Sequence, residues 1–420
     1  MDLKFTWHEN KFVKKLYAEH EEIYIRLRKN IEANILDFIA TYIRYFTSHG
    51  RKHSEGIIRQ ISYMIPDDEF NNLSSTEICV LLCSIWLHDI GLLVNRYPDT
   101  RRELNDKEIR EEHHILSKKI ILKHHGDFGI SDPHIADLIA NIAYCHRKKD
   151  KNGKDIEIRG ELKKSVFLGK DKIRPQLLAA LLRLGDAMDT NWRRAPEMIM
   201  STFSTFPDES NLHWIACKMT EVGYDHNNKY IYVNRTTNID NPNKLNEKSL
   251  NDIFFWKYHD IRKEFKSVER ILTENHIEFK DVLTFEKKKK PKDIEIILLE
   301  SELDLCKQEK VSSADVYYRI ARFYEKKIVR TKKESKERRL NKKDLAIELS
   351  KYFGESEKCF KEASKYMQDA RKTDNIKKFN FGRYFYNFLE NYFEIKSKAQ
   401  EINKNLLLKN KEKTKVKLSK

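Results

Sequence analysis

Leu27, Ile31, Ile35, Ile39 and Ile43 recur every four residues, which lays apolar side chains along one face of a helix over residues 27–46. Ser48-His49-Gly50 breaks the run, and a second helix is predicted over Arg51–Met64, stopped by Pro66. Ser74 and Glu77 stand three apart before a nearly continuous apolar segment, the spacing of a capping box. A central helix should open there and end at His88-Asp89-Ile90-Gly91. Asp106 is placed to cap the next helix, which carries Ile109, His113, Leu116 and Ile120. Asp132-Pro133 and Pro175 open two more, each with proline at the favoured first position and a leucine- or isoleucine-rich inner face. Residues 1–198 therefore read as a helical bundle.

Past Pro196 the pattern changes. Leu212–Thr220 and Lys229–Asn234 read as short strands, and Asp225-His226-Asn227-Asn228 between them has the chemistry of a turn, so a hairpin is expected. A helix over Leu250–Leu272 would complete a small α+β extension at residues 199–286. Lys287–Lys290 and Pro291 read as a linker. From about residue 292 helical faces return, carried by Tyr317, Ile320, Ala321 and Tyr324, by Phe360 and Ala363, and by the aromatic-rich run Tyr384–Ala399. Small and aromatic residues at these offsets are loosely similar to tetratricopeptide repeats, but Arg330–Lys343 interrupts them, which favours an ordinary helical module over 287–420 with a disordered basic end at Lys409–Lys420. The fold class is thus mainly α.

Composition agrees with long helices: 12 Gly and 8 Pro are few for 420 residues. The longest apolar run, Ile78–Leu87, is about half of the ~18 residues a membrane span needs, and the charged N-terminus has no hydrophobic leader segment, so neither a membrane nor secretion is expected. Six cysteines without a CxxC pair point to the reducing cytoplasm. The net charge of +16 is unevenly placed. Residues 286–420 hold 37 Lys and Arg against 22 Asp and Glu, leaving 44 against 43 for residues 1–285. A near-neutral first part suits a small anionic substrate better than a nucleic-acid track, whereas the basic C-terminal module could meet nucleic acid or an acidic protein. A homo-oligomer is also expected.

Nine of the 15 histidines fall between His49 and His146. His53 lies near a helix start, His88-Asp89 closes the central apolar helix, His113 is in phase with Ile109 and Leu116, His146 ends an apolar-faced helix, and Asp186 lies inside the stripe LLRLGDAMD. A carboxylate in an apolar stripe is costly to bury alone, and divalent cations held by ligands from several helices resolve that cost. Imidazole and carboxylate without thiolate suits Mn, Mg, Fe, Co, Ni or Zn.

The order His53, His88-Asp89, Asp186, in the contexts HGRKHSEGI, LLCSIWLHDIG and LAALLRLGDAMD, resembles the HD superfamily of metal-dependent phosphohydrolases over roughly residues 45–195. The resemblance implies that these four residues hold a first metal ion and that His113 and His146, between the doublet and the last aspartate, complete a two-metal centre; His114 competes with His113. The small strand-bearing extension after this domain is similar to that of cyclase-linked effectors in prokaryotic antiviral systems. Leu92 follows HDIG and no GYP segment appears, unlike cyclic-dinucleotide phosphodiesterases, and the Gly-Pro-Phe-Ser-His segment of many deoxynucleotide triphosphohydrolases is also missing.

The chemistry so implied is hydrolysis of a nucleotide phosphoester or phosphoanhydride by metal-activated water, with His88 and Asp89 at its centre and Asp89 bridging the two ions. The expected substrate is a (deoxy)nucleoside triphosphate or another small nucleotide. Arg51, Lys52, Arg147, Arg183, Arg193 and Arg194 flank the ligands and are candidates for gripping phosphate, Arg147 first among them because it follows His146. His124 and His125 are candidates for the cleft or for proton donation, and Asp189 for orienting a ligand. A nuclease or cyclic-nucleotide phosphodiesterase fed by the basic tail is one alternative, and a metal-stabilised scaffold without catalysis is another.

Overall fold

The computed structural model describes residues 5–34, 47, 49–96, 104–150, 152–195, 208–236 and 247–284, with a few isolated positions between 320 and 362. The chain divides into two compact units, residues 1–240 with 253–291, and residues 241–252 with 292–420. In the second unit Ile320 and Phe323 are buried helical residues. The linker, the tail and most of the predicted C-terminal helical faces lie outside the described residues.

The first unit is mainly helical. Helices α1 (Trp7–Val13) and α2 (Ala18–Asn34) lead into α3 (Arg51–Met64) and the central α4 (Ser75–Leu87). Residues 35–46 of the predicted first run lie outside the described residues. Every residue of α4 is buried, and its start carries the reciprocal Ser74/Glu77 capping box. A helix apolar on all sides needs neighbours on all sides, and α4 packs against α2 and α3 and, further along, α6 (Pro133–Tyr144) and α7 (Pro175–Met188). Between them α5 (Asp106–His124) packs on the 3-10 turn Ile90–Arg96 that follows the His-Asp doublet. Its cap is Asn105, which pairs reciprocally with Glu108, rather than Asp106; Asn105 is the residue that stands three before a Glu, which is what the box requires.

A buried polar network anchors the two N-terminal helices. Glu9 and Arg28 form an ion pair, both 0% exposed, Tyr24 donates to Glu9, Trp86 Nε1 donates to Tyr24 Oη at 2.9 Å, and the Arg28 guanidinium lies 4.0 Å from the Trp86 ring centroid. The bundle is not purely helical, since β1 (Val166–Leu168) and β2 (Asp171–Ile173) form a small antiparallel hairpin with Gly169 at φ 59° in its turn.

The extension corrects one sequence expectation. Residues 212–219 are not a strand but part of α8 (Asp208–Met219). Leu212, Ile215, Ala216 and Met219 are all buried at the offsets of one helical face, and Ile215 is its only β-branched residue. The expected hairpin forms further on, from β3 (Thr220–Asp225) and β4 (Tyr230–Arg235). After α9 (Glu247–Thr273), β5 (Asp281–Leu283) adds in parallel to β4. Tyr258 of α9 donates to the Val282 carbonyl, and Arg262 grips Asp281 with two nitrogens at 2.9 and 2.7 Å, so the sheet and the helix are held together.

Candidate metal centre

Helix ends deliver all of the ionisable residues but His113. His88 and Asp89 follow the last residue of α4, His146 follows α6, His53 sits in the first turn of α3, His113 is in α5, and Asp186 lies in the last turn of α7. Their ligand-capable atoms fall into overlapping groups, His49–His53–Asp89, His53–His88–Asp186 and Asp89–His113–His146, each within 4.8 Å. Asp89 joins them. Its Oδ2 is 3.1 Å from His88 Nε2 and 3.8 Å from His53 Nε2, while its Oδ1 is 3.4 Å from His113 Nε2 and 3.8 Å from His146 Nε2. Asp186 Oδ1 closes the second group at 3.1 Å from His53 Nε2.

The rings are fixed from behind. His88, His113 and His146 each donate from Nδ1 to the carbonyl three residues earlier, Ile85, Arg110 and Ala143, at 2.8, 2.9 and 2.6 Å. A carbonyl can only accept, so each Nδ1 carries a proton, and Nε2 presents a lone pair wherever the ring is neutral. His53 reaches the same state through Asp189, whose Oδ2 accepts from Nδ1 at 2.9 Å. Asp189 is 1% exposed and also accepts from Asn191 Nδ2 at 2.7 Å, which makes it the orienting carboxylate of His53.

Three glycines permit these approaches. A Cβ on Gly56 would fall within 3.0 Å of the Asp189 carboxylate, one on Gly91 within 3.0 Å of the His113 carbonyl and Ser117, and one on Gly185 within 3.0 Å of Ile61. Ser117 exploits the close approach at Gly91, receiving the Gly91 N–H at 2.9 Å and donating to the His88 carbonyl at 2.6 Å.

A divalent cation fits this donor set. His53 Nε2 and His88 Nε2 are buried and make no hydrogen bond. His113 Nε2 and His146 Nε2 face each other at 3.0 Å, and with both Nδ1 atoms protonated that apposition sets lone pair against lone pair, which a shared cation would resolve. A family model, HD-CE, matches residues 42–273, more than half of the chain. The chain belongs to the HD-CE family. Neither a search of curated proteins nor one of solved structures returns a match. The HD-CE chain is an HD-superfamily metal-dependent phosphohydrolase of the cyclase-linked effector branch.

The electrostatics of the HD-CE centre follow from burial and mutual proximity. Burial opposes charge on Asp89, but the His88 and His49 imidazoles outweigh it and hold the carboxyl well below its usual range. Burial also opposes the cation at His88, yet Asp89 and Asp186 lift its pKa to about 9. Burial keeps His113 and His146 neutral, with pKa values lowered to about 3, reinforced at His146 by His88.

The HD-CE centre forms one wall of a cleft of about 670 Å³. Arg147, Arg183 and Arg194 line it; Arg51, Lys52 and Arg193 do not. Neighbouring positions on a helix point about 100° apart, so sequence adjacency to a ligand did not place Arg51 and Lys52 in the cleft, and Arg51 instead pairs with Glu55 at 2.7 Å. Arg183 is committed to the Cys145, Arg147 and Ile156 carbonyls, and Arg147 donates to Arg110 and Glu111. His124 and His125 are outside the lining, bonded to Asp127 and to the Ile130 carbonyl. His114 is fully buried with no hydrogen bond and stacks on Tyr144, turned away from the role considered for it.

Sequence reasoning passed over His49, whose Nδ1 is 2.7 Å from Asp89 Oδ2 and which lines the cleft beside Arg194. Its position four before His53, in HGRKH, was the available signal. Arg110, Lys148, Lys149, His213, Lys257, Lys263 and Glu264 also line the cleft, and no spacing in the sequence relates most of them to the ligands.

Proposed function

We propose that the cleft hydrolyses a phosphoester or phosphoanhydride of a small nucleotide, with two divalent cations held by His53, His88, Asp89 and Asp186 on one side and by Asp89, His113 and His146 on the other. The single observation that carries this reading is the split of the Asp89 oxygens between the two imidazole sets, which suits a bridging carboxylate. When bound, such cations supply Lewis-acid activation of water and offset phosphoryl charge; Mn, Mg, Fe, Co, Ni and Zn all suit the donor set. His49 donates to Asp89 and so steadies the shared carboxylate, and Asp189 keeps the His53 lone pair aimed inward. Arg147, Arg194, Arg110 and Lys257 give the cleft cationic walls that attract a polyphosphate. About 670 Å³ is the size of a small-ligand pocket, which favours a nucleotide such as a (deoxy)nucleoside triphosphate. The buried free thiols Cys79, Cys83, Cys145 and Cys217 agree with a reducing cytoplasm, and membership of the effector branch supports a role in bacterial antiviral defence.

The test is a screen of the full chain with Mn²⁺, Mg²⁺, Co²⁺ or Ni²⁺ against nucleotides, cyclic nucleotides and single- and double-stranded nucleic acids, with Asp89→Ala as control. Turnover of nucleotides that disappears in the control is expected; turnover that survives it sinks the assignment. One observation favours a second reading. A further cavity of about 470 Å³ shares Lys148, Asp155, Arg183 and Lys263 with the first and adds Arg262 and Lys266, a continuation that would suit a phosphodiester strand, with the basic C-terminal module holding the rest of a nucleic acid. Preferential cleavage of oligonucleotides in the same screen would establish it.

A further inference from the structure

Among the cations that line the cleft one carboxyl stands out. Glu264 belongs to α9, in the extension rather than the bundle, yet lines the same cavity as Asp186, His146 and Arg147. Its Oε2 is buried and has no hydrogen-bond partner. Asp260, one turn earlier, has a different environment, because Lys257 pairs with it at 3.1 Å. A buried, unpaired carboxylate oxygen costs far more than the same oxygen in a protonated carboxyl, so the site favours the neutral acid. The groups facing Glu264 come from several elements. Arg183 and Asp186 face it from α7, Lys148 from the segment after α6, and Asp260 from its own helix; Arg147, Asp155, Lys257 and Lys263 share the cavity. Burial, then Asp260, raise the carboxyl to about 7 against the pull of Arg183 and Lys148. Cations at the centre draw that value down and substrate phosphates push it up, so the loaded enzyme with substrate present is the form to assay.

We infer that Glu264 is the proton donor to the leaving-group oxygen of the proposed reaction. The inference rests on the phosphohydrolase reading and deepens it. As the oxygen of water forms its bond to phosphorus, the bond from phosphorus to the leaving oxygen breaks. That oxygen takes the Glu264 proton and departs as an alcohol, and Glu264 recovers a proton equivalent to the one the attacking water gives up. A neutral acid is useful where the leaving oxygen is basic, as in a sugar alkoxide, and adds little where a phosphate departs. The substrate class is therefore a phosphoester of a nucleoside rather than an anhydride cleaved between phosphates.

The experiment uses the full chain loaded with Mn²⁺ and three aryl esters of thymidine 5′-phosphate, p-nitrophenyl, p-chlorophenyl and phenyl, in order of increasingly basic leaving group. Glu264→Gln should lose activity in a graded manner, about 10²-fold on the phenyl ester and much less on the p-nitrophenyl ester, with unchanged Mn content. In the metal-free protein, the infrared band of a protonated carboxyl should titrate at a pH of about 7 and be missing from Glu264→Gln. An equal loss across the three esters, or none, or a band that titrates in the ordinary carboxylate range, overturns the assignment of Glu264 and leaves the phosphohydrolase reading standing. Absence of Asp89-dependent turnover of every ester overturns both.

Discussion

Replacing Gly56 by alanine should weaken the centre without touching a ligand. In a helix interior this exchange ordinarily stabilises by about 1 kcal/mol. Here the new methyl would lie within 3.0 Å of the Asp189 carboxylate, which is 1% exposed and held by His53 and Asn191. Overpacking of that kind costs about 1–3 kcal/mol. Displacing Asp189 also breaks its bond from His53 Nδ1, now 2.9 Å, and a charged hydrogen bond is worth about 1.5–3 kcal/mol. Setting these losses against the helix gain leaves a net destabilisation of about 1.5–5 kcal/mol. With its orienting carboxylate displaced, His53 should bind metal about 10–100-fold more weakly. Urea unfolding of the metal-free protein reads the first effect and calorimetric titration with Mn²⁺ the second. Gly160→Ala is the control, since a Cβ there meets only Glu157 Cβ at 3.7 Å. A Gly56→Ala protein at least as stable as the parent, with unchanged Mn²⁺ affinity, would refute the reasoning.

Three further outcomes follow from the same geometry. Glu9→Ala removes the buried carboxylate that pairs with the Arg28 guanidinium and should cost about 3–5 kcal/mol in denaturant unfolding, far more than loss of an exposed pair such as Lys11–Asp67; a cost under about 1 kcal/mol would contradict the burial described. His113→Ala should reduce the Mn²⁺ bound at saturation, whereas His114→Ala should lower stability and leave metal content intact; equal metal loss in both would place the wrong ring in the centre. Burial and Asp260 raise the Glu264 carboxyl to about 7 from an ordinary 4.5, so between these values the folded protein binds more protons than the unfolded chain. Its contribution is fully present below the lower value and is lost as pH rises through the upper one, with a slope of up to about 1.4 kcal/mol per pH unit. Stability of the metal-free protein minus that of Glu264→Gln, measured from pH 4 to 8, should fall in that window; a flat difference removes the raised pKa.

Much of the bundle was legible because apolar spacing, capping pairs and proline positions are local signals. The ligands were legible for a related reason: His88-Asp89 and Asp186 interrupt or terminate apolar stripes, where an unpaired charge is costly. Residues 212–219 were misread because Trp214, Ile215 and Cys217 together look strand-like, although the offsets of Leu212, Ile215, Ala216 and Met219 already described a helix. β5 went unseen since three residues pairing in parallel with a strand some fifty positions earlier leave no local trace. The far wall of the cleft was illegible altogether. Lys257, Lys263 and Glu264 lie on α9 with no motif of their own, and only the packing of the extension on the bundle brings them opposite the histidines.

The four inward imidazoles are not held alike. Three take their backing from a carbonyl within the same turn, so their aim travels with the stretch of chain that bears them. His53 borrows its aim from Asp189, which follows α7, across a gap that Gly56 and Gly185 keep narrow. The aim of His53 therefore gauges the spacing of two helices, and anything that levers α3 from α7 would turn that ring before it disturbed the other three.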